Sequence, residues 1–171
     1  VVGARGVGGG QGGGFDMGNS PYSVKGPAVK GAAIGMTTTN GTHAINVSKG
    51  AALVVIGSFI NKNALCDLVV RQDRDVVLLC SGWKNNFNLE DTLFAGAVAM
   101  DLQGHFLISD DASIAAMDLL GHAKDDLQGY IQKSSHAHRF AALGLEQDIT
   151  FCLQQDIYTM VPFPRQDFLV R

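Results

Sequence analysis

With 171 residues, 46% of them apolar and 17% charged, the chain is long enough for one domain with a proper core and too short to argue for two. A formal charge of -3 and a sequence pI near 5.9 leave no basic field, and no basic stripe is interleaved with aromatics, so nucleic acid is not an expected partner. No apolar run approaches the roughly 20 residues of a membrane span, which points to a soluble protein.

Cys66, Cys80 and Cys152 lie far apart in apolar surroundings and match no zinc spacing, so they read as reduced, buried thiols of a cytoplasmic protein. The chain opens Val1-Val2-Gly3 without Met or a leader, and is expected to continue upstream.

Residues 1 to 14 are dense in glycine, which packs no core and is costly to order. Gly6 to Gly14 therefore read as a flexible loop, either a linker or a cover over a ligand. The next segment, Phe15 to Pro21, sets Asp16, Asn19 and Ser20 among backbone punctuators. It reads as a rigid polar turn in which Asp16 or Asn19 either braces the backbone or serves a site.

From Ala32 one plan repeats three times: apolar strand, polar loop, helix. Ala32 to Met36 leads through Thr37-Thr38-Thr39-Asn40-Gly41 to a helix from Thr42 to Lys49. Ala52 to Ile56 leads through Gly57-Ser58 to a helix ending near Gln72. Asp75 to Cys80 leads through Ser81-Gly82 to a helix over Leu89 to Leu102. The runs Leu53 to Ile56 and Val76 to Leu79 are apolar on both faces, as in a sheet covered by helices on both sides. Alternation of this kind predicts parallel pairing through right-handed crossovers, with all three loops opening on one edge.

The first loop has two readings. Thr38, Thr39, Asn40 and Thr42 supply neutral donors at a helix start, where free N–H groups and the macrodipole favour an anion, and Gly41 lets the backbone approach closely. Alternatively Asn40 or Thr39 only caps the helix. Convergence of Thr37 to Asn40, Ser58 and Ser81 on one crevice favours the anion site, because open α/β sheets bind ligands outside the carboxyl ends of their strands.

Glu90 and Asp91 follow the N-cap candidate Asn88. Acidic residues in a first turn suit the dipole without any function, but two adjacent carboxylates beside a phosphate crevice are also hard oxygen ligands of the sort Mg²⁺ takes. Asp110-Asp111 form a second pair, ranked behind them. The rest of the chain is read as a helical covering layer: Ala112 to Leu120, Asp125 to Gln132, Ser135 to Leu143 and Glu146 to Gln155. Ile157 to Phe163 is read as a strand ended by proline. His136 and His138, two apart on a helix, point to different faces and read as surface residues.

Placed in order, Gly14 to Pro21, Thr37 to Thr42, Leu79 to Trp83 with Leu89 to Gly96, and Asp148 to Cys152 with Val161-Pro162 resemble the motifs of the 2-phosphosulfolactate phosphatase (ComB-like) family across nearly the whole chain. The resemblance implies a single α/β domain over residues 1 to 171, a three-layer α/β/α fold with a largely parallel or mixed sheet. It implies Mg²⁺-dependent hydrolysis of 2-phospho-3-sulfolactate to 3-sulfolactate and phosphate, a step of coenzyme M biosynthesis in methanogens. The partner is then a small phosphorylated and sulfonated acid. Arg5, Asp16, Asn19 and Ser20 become the catalytic candidates, Arg5 through a guanidinium that forks onto phosphate or sulfonate and Asp16 by orienting water or by binding the metal. Thr38, Thr39, Asn40, Gly41, Thr42, Ser81 and Gly82 become substrate contacts, and Glu90 and Asp91 metal ligands.

Two departures keep other readings open: Ala4 stands where the family has an acidic residue, and the family's N-terminal strand with its Arg-Ala-Thr-rich loop has no counterpart. The first alternative is a non-catalytic anion-binding relative. A second is a structural module whose polar loops are only caps. Oligomeric state, a homo-oligomer included, is not fixed by the sequence.

Overall fold

The structure, a computed structural model, describes residues 2–5, 16–166 and 168–170. The expected loop Gly6 to Gly14 lies outside the described residues. Three short strands form a parallel sheet: β1 (Val2–Arg5) lies between β2 (Met17–Gly18) and β3 (Ile34–Thr37). The register pairs Arg5 with both Gly18 and Thr37, so the carboxyl ends of all three strands are level. The chain leaves β1 toward one side for β2 and crosses to the other for β3, a strand-order reversal of the kind that opens a crevice at the sheet's carboxyl edge.

The strands expected at Ala52 to Ile56 and Asp75 to Cys80 are not paired in a sheet among the described residues. Both segments instead line one cavity of about 790 Å³, with Val54, Val55, Val76 and Leu78 on its wall. An apolar run two faces deep signals burial against apolar groups; whether it belongs to a ladder or to a cavity wall cannot be read from the run itself. Part of this surface faces solvent, Val77 being 87% exposed. The segment Ile157 to Phe163 is likewise not a strand over its length. It runs beside residues 56 to 60, where Ile56 N–H donates to the Pro162 carbonyl (2.8 Å) and Tyr158 N–H to that of Ile60 (2.9 Å). The strand begins only at Phe163, in an antiparallel hairpin of β4 (Phe163–Arg165) and β5 (Phe168–Val170). Pro164 fits there because a two-stranded ribbon has edges where its missing N–H is no loss.

The helices are α1 (Gly41–Val47), α2 (Lys62–Gln72), α3 (Leu89–Leu102), α4 (Asp111–Ala123), α5 (Leu127–Ile131), α6 (Ser135–Ala142) and α7 (Glu146–Cys152). The helix expected over Asp125 to Gln132 is broken: a 3-10 turn at Lys124–Asp126 precedes α5, and the Asp126 carboxylate accepts from Gly129 N–H at 2.9 Å. An aspartate that prefers to cap a helix restarts the element inside the run.

The core is built on α3. Its buried side buries Leu93, Ala97, Val98, Ala99 and Leu102. Leu93 packs in a cluster with Phe59, Ile131, Ala137 and Ile149, while Val98 and Leu102 join Leu65, Cys66 and Val69 of α2 in another. Full burial of a leucine such as Leu93 contributes about 2–3 kcal/mol. Gly96 sets the α3–α4 approach, since a Cβ there would stand 2.2 Å from the Ala116 carbonyl oxygen. Among the described residues no helix is long and apolar enough to cross a membrane.

Candidate functional site

The loop after β3 closes on itself before it meets anything else. Thr38 Oγ1 accepts from Thr42 N–H at 3.0 Å, and the Thr42 hydroxyl donates back to the Thr38 carbonyl. Thr38, rather than Asn40 or Thr39, thus caps α1. Gly41 sits close to this cap, a Cβ there lying 3.2 Å from Thr38 Oγ1. The Asn40 side chain makes no cap bond and instead accepts from Lys84 N–H at 3.0 Å, across 44 positions of sequence.

Lys84 belongs to the second element of the site, a tight turn in which Trp83 and Asn86 exchange backbone bonds of 3.1 and 3.0 Å. Lys84 (φ 51°) and Asn85 (φ 62°) are both left-handed, as a two-residue turn of this hand requires. Gly82 (φ 65°) leads into it, where a Cβ would meet the Asn86 carbonyl at 2.7 Å. Asp91 anchors the turn: its Oδ2 accepts from Gly82 N–H at 2.6 Å and from the Ser81 hydroxyl at 3.3 Å. Burial pushes the Asp91 carboxyl above its ordinary range, helped by the neighbouring charge of Glu90 and opposed by the Gly82 N–H and Ser81.

Asn88 caps α3 and directs both carboxylates, accepting from Glu90 N–H (2.9 Å) and Asp91 N–H (3.3 Å). Asp91 turns to the loop, while Glu90 Oε2 lies 3.3 Å from His136 Nδ1 on α6. His136 also meets the Phe140 ring edge-on, with centroids 4.3 Å apart. On the side of α7, the Ser20 hydroxyl donates to Asp148 Oδ1 at 2.8 Å, and Asp148 is only 4% exposed. Cys152, one turn further along α7, has its thiol pushed up to about 12, by burial first and then by the charges of Glu90 and Asp148.

Asn40, Ser81, Gly82 and Asp91 are thus joined through one turn, with Glu90 adjacent, and Ser81, Glu90, Asp91 and Cys152 share the wall of the 790 Å³ cavity. Ser20, half-buried, reaches the same neighbourhood through Asp148. Arg5 stands by its backbone at the carboxyl edge of β1, level with Gly18, from which Asn19 and Ser20 continue. Asp16 is exposed and Asn19 half-buried beside it. Thr39 is exposed and joins none of these contacts. Ser58 lines the cavity but its main bonds, backbone and hydroxyl, run to Asn61 Oδ1 (2.9 and 3.4 Å). Asp110 is a cap, accepting from Ser113 N–H at 2.8 Å. The thiols depart from the expected burial at two positions: Cys66 is buried, but Cys152 is half-buried and Cys80 exposed.

Three residues were not assigned to the site from sequence. His136 and His138 do diverge, as their spacing requires, yet the face that carries His136 is turned to Glu90 rather than to solvent alone. Asp148 looks in the sequence like an ordinary first-turn acid of a mixed helix, beside Glu146 and Gln147, yet it is buried. Arg139, one turn after His136, lays its guanidinium 3.9 Å from the Trp83 ring centroid. Among the described residues no group of three His, Cys, Asp or Glu side chains is arranged to hold a metal ion.

Fold and site together define an α/β protein whose loop edge presents a pair of carboxylates among neutral donors. Residues 5–167 match the model of the 2-phosphosulpholactate phosphatase family, and the chain belongs to that family. It is 37% identical over 157 residues to a probable 2-phosphosulfolactate phosphatase of Thermosynechococcus vestitus, covering 88% of this chain and 64% of the relative. It is 34% identical over 160 residues to one of a Cyanothece species, covering 90% and 66%, and 34% identical over 152 residues to one of Clostridium acetobutylicum, covering 87% and 64%. The chain therefore spans just under two thirds of the length of these curated relatives.

Proposed function

We propose that this chain is the substrate-handling domain of a Mg²⁺-dependent phosphatase that hydrolyses 2-phospho-3-sulfolactate to 3-sulfolactate and phosphate. The observation that carries the reading is the bonding of separate loops into one rim: Asn40 to the 82–86 turn, that turn to Asp91, and Glu90 beside it. Family membership and the relatives' names support the substrate.

The donor set fits magnesium better than zinc. Zinc takes three or four protein ligands, whereas magnesium keeps most of its shell as water and substrate oxygen and needs only one or two carboxylates. A carboxylate whose pKa is raised by burial and by a carboxylate neighbour, as at Asp91, is relieved by a cation. Glu90 and Asp91 would hold the ion, which supplies neutralisation of the phosphoryl oxygens when bound. Asp91 must keep the Gly82 turn in place as well, so Glu90 is the freer ligand.

The chain's own residues do the rest. The Asn40 amide and the Thr38 hydroxyl bind and orient the anion, with Thr42 holding Thr38 and Ser81 holding Asp91 in place beside it. Arg5 at the central strand end adds positive charge, and Asp16 and Asn19 with Ser20 orient the attacking water. Water oxygen bonds to phosphorus as the bond to the C2 oxygen breaks, and that oxygen leaves with the electron pair and takes a proton. Charge on the transferred oxygens is the main cost, and fixed donors reduce it. A three-layer α/β/α fold is proposed for the full family domain, the uncovered Val76 to Leu79 surface supporting further cover. We place the reaction in the cytoplasm, consistent with three free cysteines, and its product in coenzyme M biosynthesis or a related use of sulfolactate. Phosphate released from 2-phosphosulfolactate in Mg²⁺ and abolished by EDTA is the expected outcome; equal rates with and without the metal would refute the metal-dependent reading. Ligand binding without turnover would leave the anion-binding relative.

A further inference from the structure

We propose that Arg139 and Lys84, gathered on the ring of Trp83, form the subsite for the second anionic group of the substrate, the sulfonate. The proposal rests on the phosphatase reading for the identity of the substrate. The carboxylates Glu90 and Asp91 serve a phosphate only through a cation, and they repel every other negative group of the same small molecule. A second anion therefore needs positive charge of its own, placed a short distance away.

The structure holds that charge ready. The Arg139 guanidinium lies 3.9 Å and the Lys84 ammonium 4.6 Å from the centroid of the Trp83 ring. Among the described residues neither has a carboxylate partner; the ion pairs found there are Lys62 with Asp101 and His136 with Glu90. Arg139 reaches Ser135 Oγ at 3.5 Å and is only half-buried. A guanidinium laid on an aromatic face keeps the donors of its fork in plane and pointing outward, the geometry that takes an oxyanion of sulfur or phosphorus two oxygens at a time.

Trp83 is held independently of this contact. Its turn is pinned at one end by Gly82 N–H on Asp91 and at the other by Lys84 N–H on Asn40. Lys84 also keeps a left-handed φ of 51°, which a lysine adopts at a cost and retains where the surroundings insist on it. The same strained turn thus touches the carboxylate that anchors the rim and carries one of the two cations. On α6, Arg139 follows His136 by three positions, and positions so spaced are neighbours on one helix face, roughly 5–6 Å apart at Cβ. His136 contacts Glu90. One helix face therefore carries both the residue that meets Glu90 and the guanidinium that meets Trp83.

Calorimetric binding of 3-sulfolactate and of lactate to the full chain, wild type and Arg139→Gln, in Mg²⁺, tests the assignment. The expected result is wild-type preference for sulfolactate of at least about 10-fold, a loss of sulfolactate affinity of similar size in Arg139→Gln, and unchanged lactate binding. Equal sulfolactate affinity in wild type and Arg139→Gln, or no wild-type preference, overturns it. Should Arg139→Gln fail to fold, Arg139→Lys keeps charge and stacking length but not the fork, and is expected to lose part of the preference; full retention overturns the bidentate assignment. Phosphate release is scored separately. A chain that binds sulfolactate through Arg139 and releases no phosphate keeps the subsite and loses the hydrolase reading, and a hydrolase indifferent to Arg139→Gln loses only the subsite.

Discussion

Gly82 is the residue at which loop geometry and chemistry meet. Its φ of 65° and the 2.7 Å that would separate a Cβ from the Asn86 carbonyl leave no room for alanine. Gly82→Ala is expected to destabilise the chain by about 1–3 kcal/mol and to lower phosphatase activity further than that loss explains, because the Gly82 N–H fixes Asp91; a denaturant melt and a phosphate assay on the same variant check both. At this scale the sequence marks the small polar loops and the carboxylate pair, since those signals are local: a run of hydroxyls, a glycine, an N-cap before two acids. It cannot mark His136, Asp148 or Arg139 in the same way. Their partners, Glu90, Ser20 and Trp83, lie 46, 128 and 56 positions away, and only the tertiary fold brings them together. Asn40 carries the opposite lesson. It has the composition of a cap, but Thr38 fills that role and leaves the amide to the 82–86 turn.

Among the elements, the helices are the legible part. α3 has the bounds its pattern predicts, with Asn88 as cap and the carboxylates in its first turn. Strands are less legible because a ladder depends on a neighbour that the run does not encode. Leu53 to Ile56 and Val76 to Leu79 have strand composition, yet they line a cavity here, and among the described residues it is the run at Ile34–Thr37 that finds a partner in β1. Packing between helices is also invisible in composition, and Gly96 illustrates it. In a helix glycine usually costs stability relative to alanine, so replacing it ought to help. At Gly96 the sign reverses, since the added Cβ would lie 2.2 Å from a backbone oxygen of α4 that has no rotamer to yield. Gly96→Ala is expected to destabilise by about 3 kcal/mol or more, the upper end of overpacking costs, measured as a shift in the urea midpoint. A neutral or stabilising result would mean that α3 and α4 part more easily than their packing implies.

For the molecule as a whole, burial of two thiols ties stability to alkaline pH. Cys66 is pushed up to about 11, by burial and then the Asp101 charge, and Cys152 to about 12, against an ordinary value of 9.0. Folded pKa values above the unfolded value mean that the native state holds protons the unfolded chain has released. Their contribution is whole below pH 9 and is lost progressively as pH rises toward 11 and 12. Urea melts should therefore show stability falling between pH 9 and 11, with a shallower fall in Cys152→Ala; identical slopes in the two proteins would count against the burial of that thiol. Cys152 also reports on the site, because Glu90 and Asp148 both bear on it. Loops from distant parts of the chain are proposed to act as one metal-bearing rim, and Glu90, beside the anchored Asp91, is the residue that tests it. The most direct measurement is Mg²⁺-dependent phosphate release from 2-phosphosulfolactate by Glu90→Gln beside wild type, with the melting temperature of each. A fall of about 100-fold or more at an unchanged melting temperature is the predicted result; full activity in Glu90→Gln, or a melt lowered with it, would contradict the claim and leave Glu90 a first-turn acid of α3.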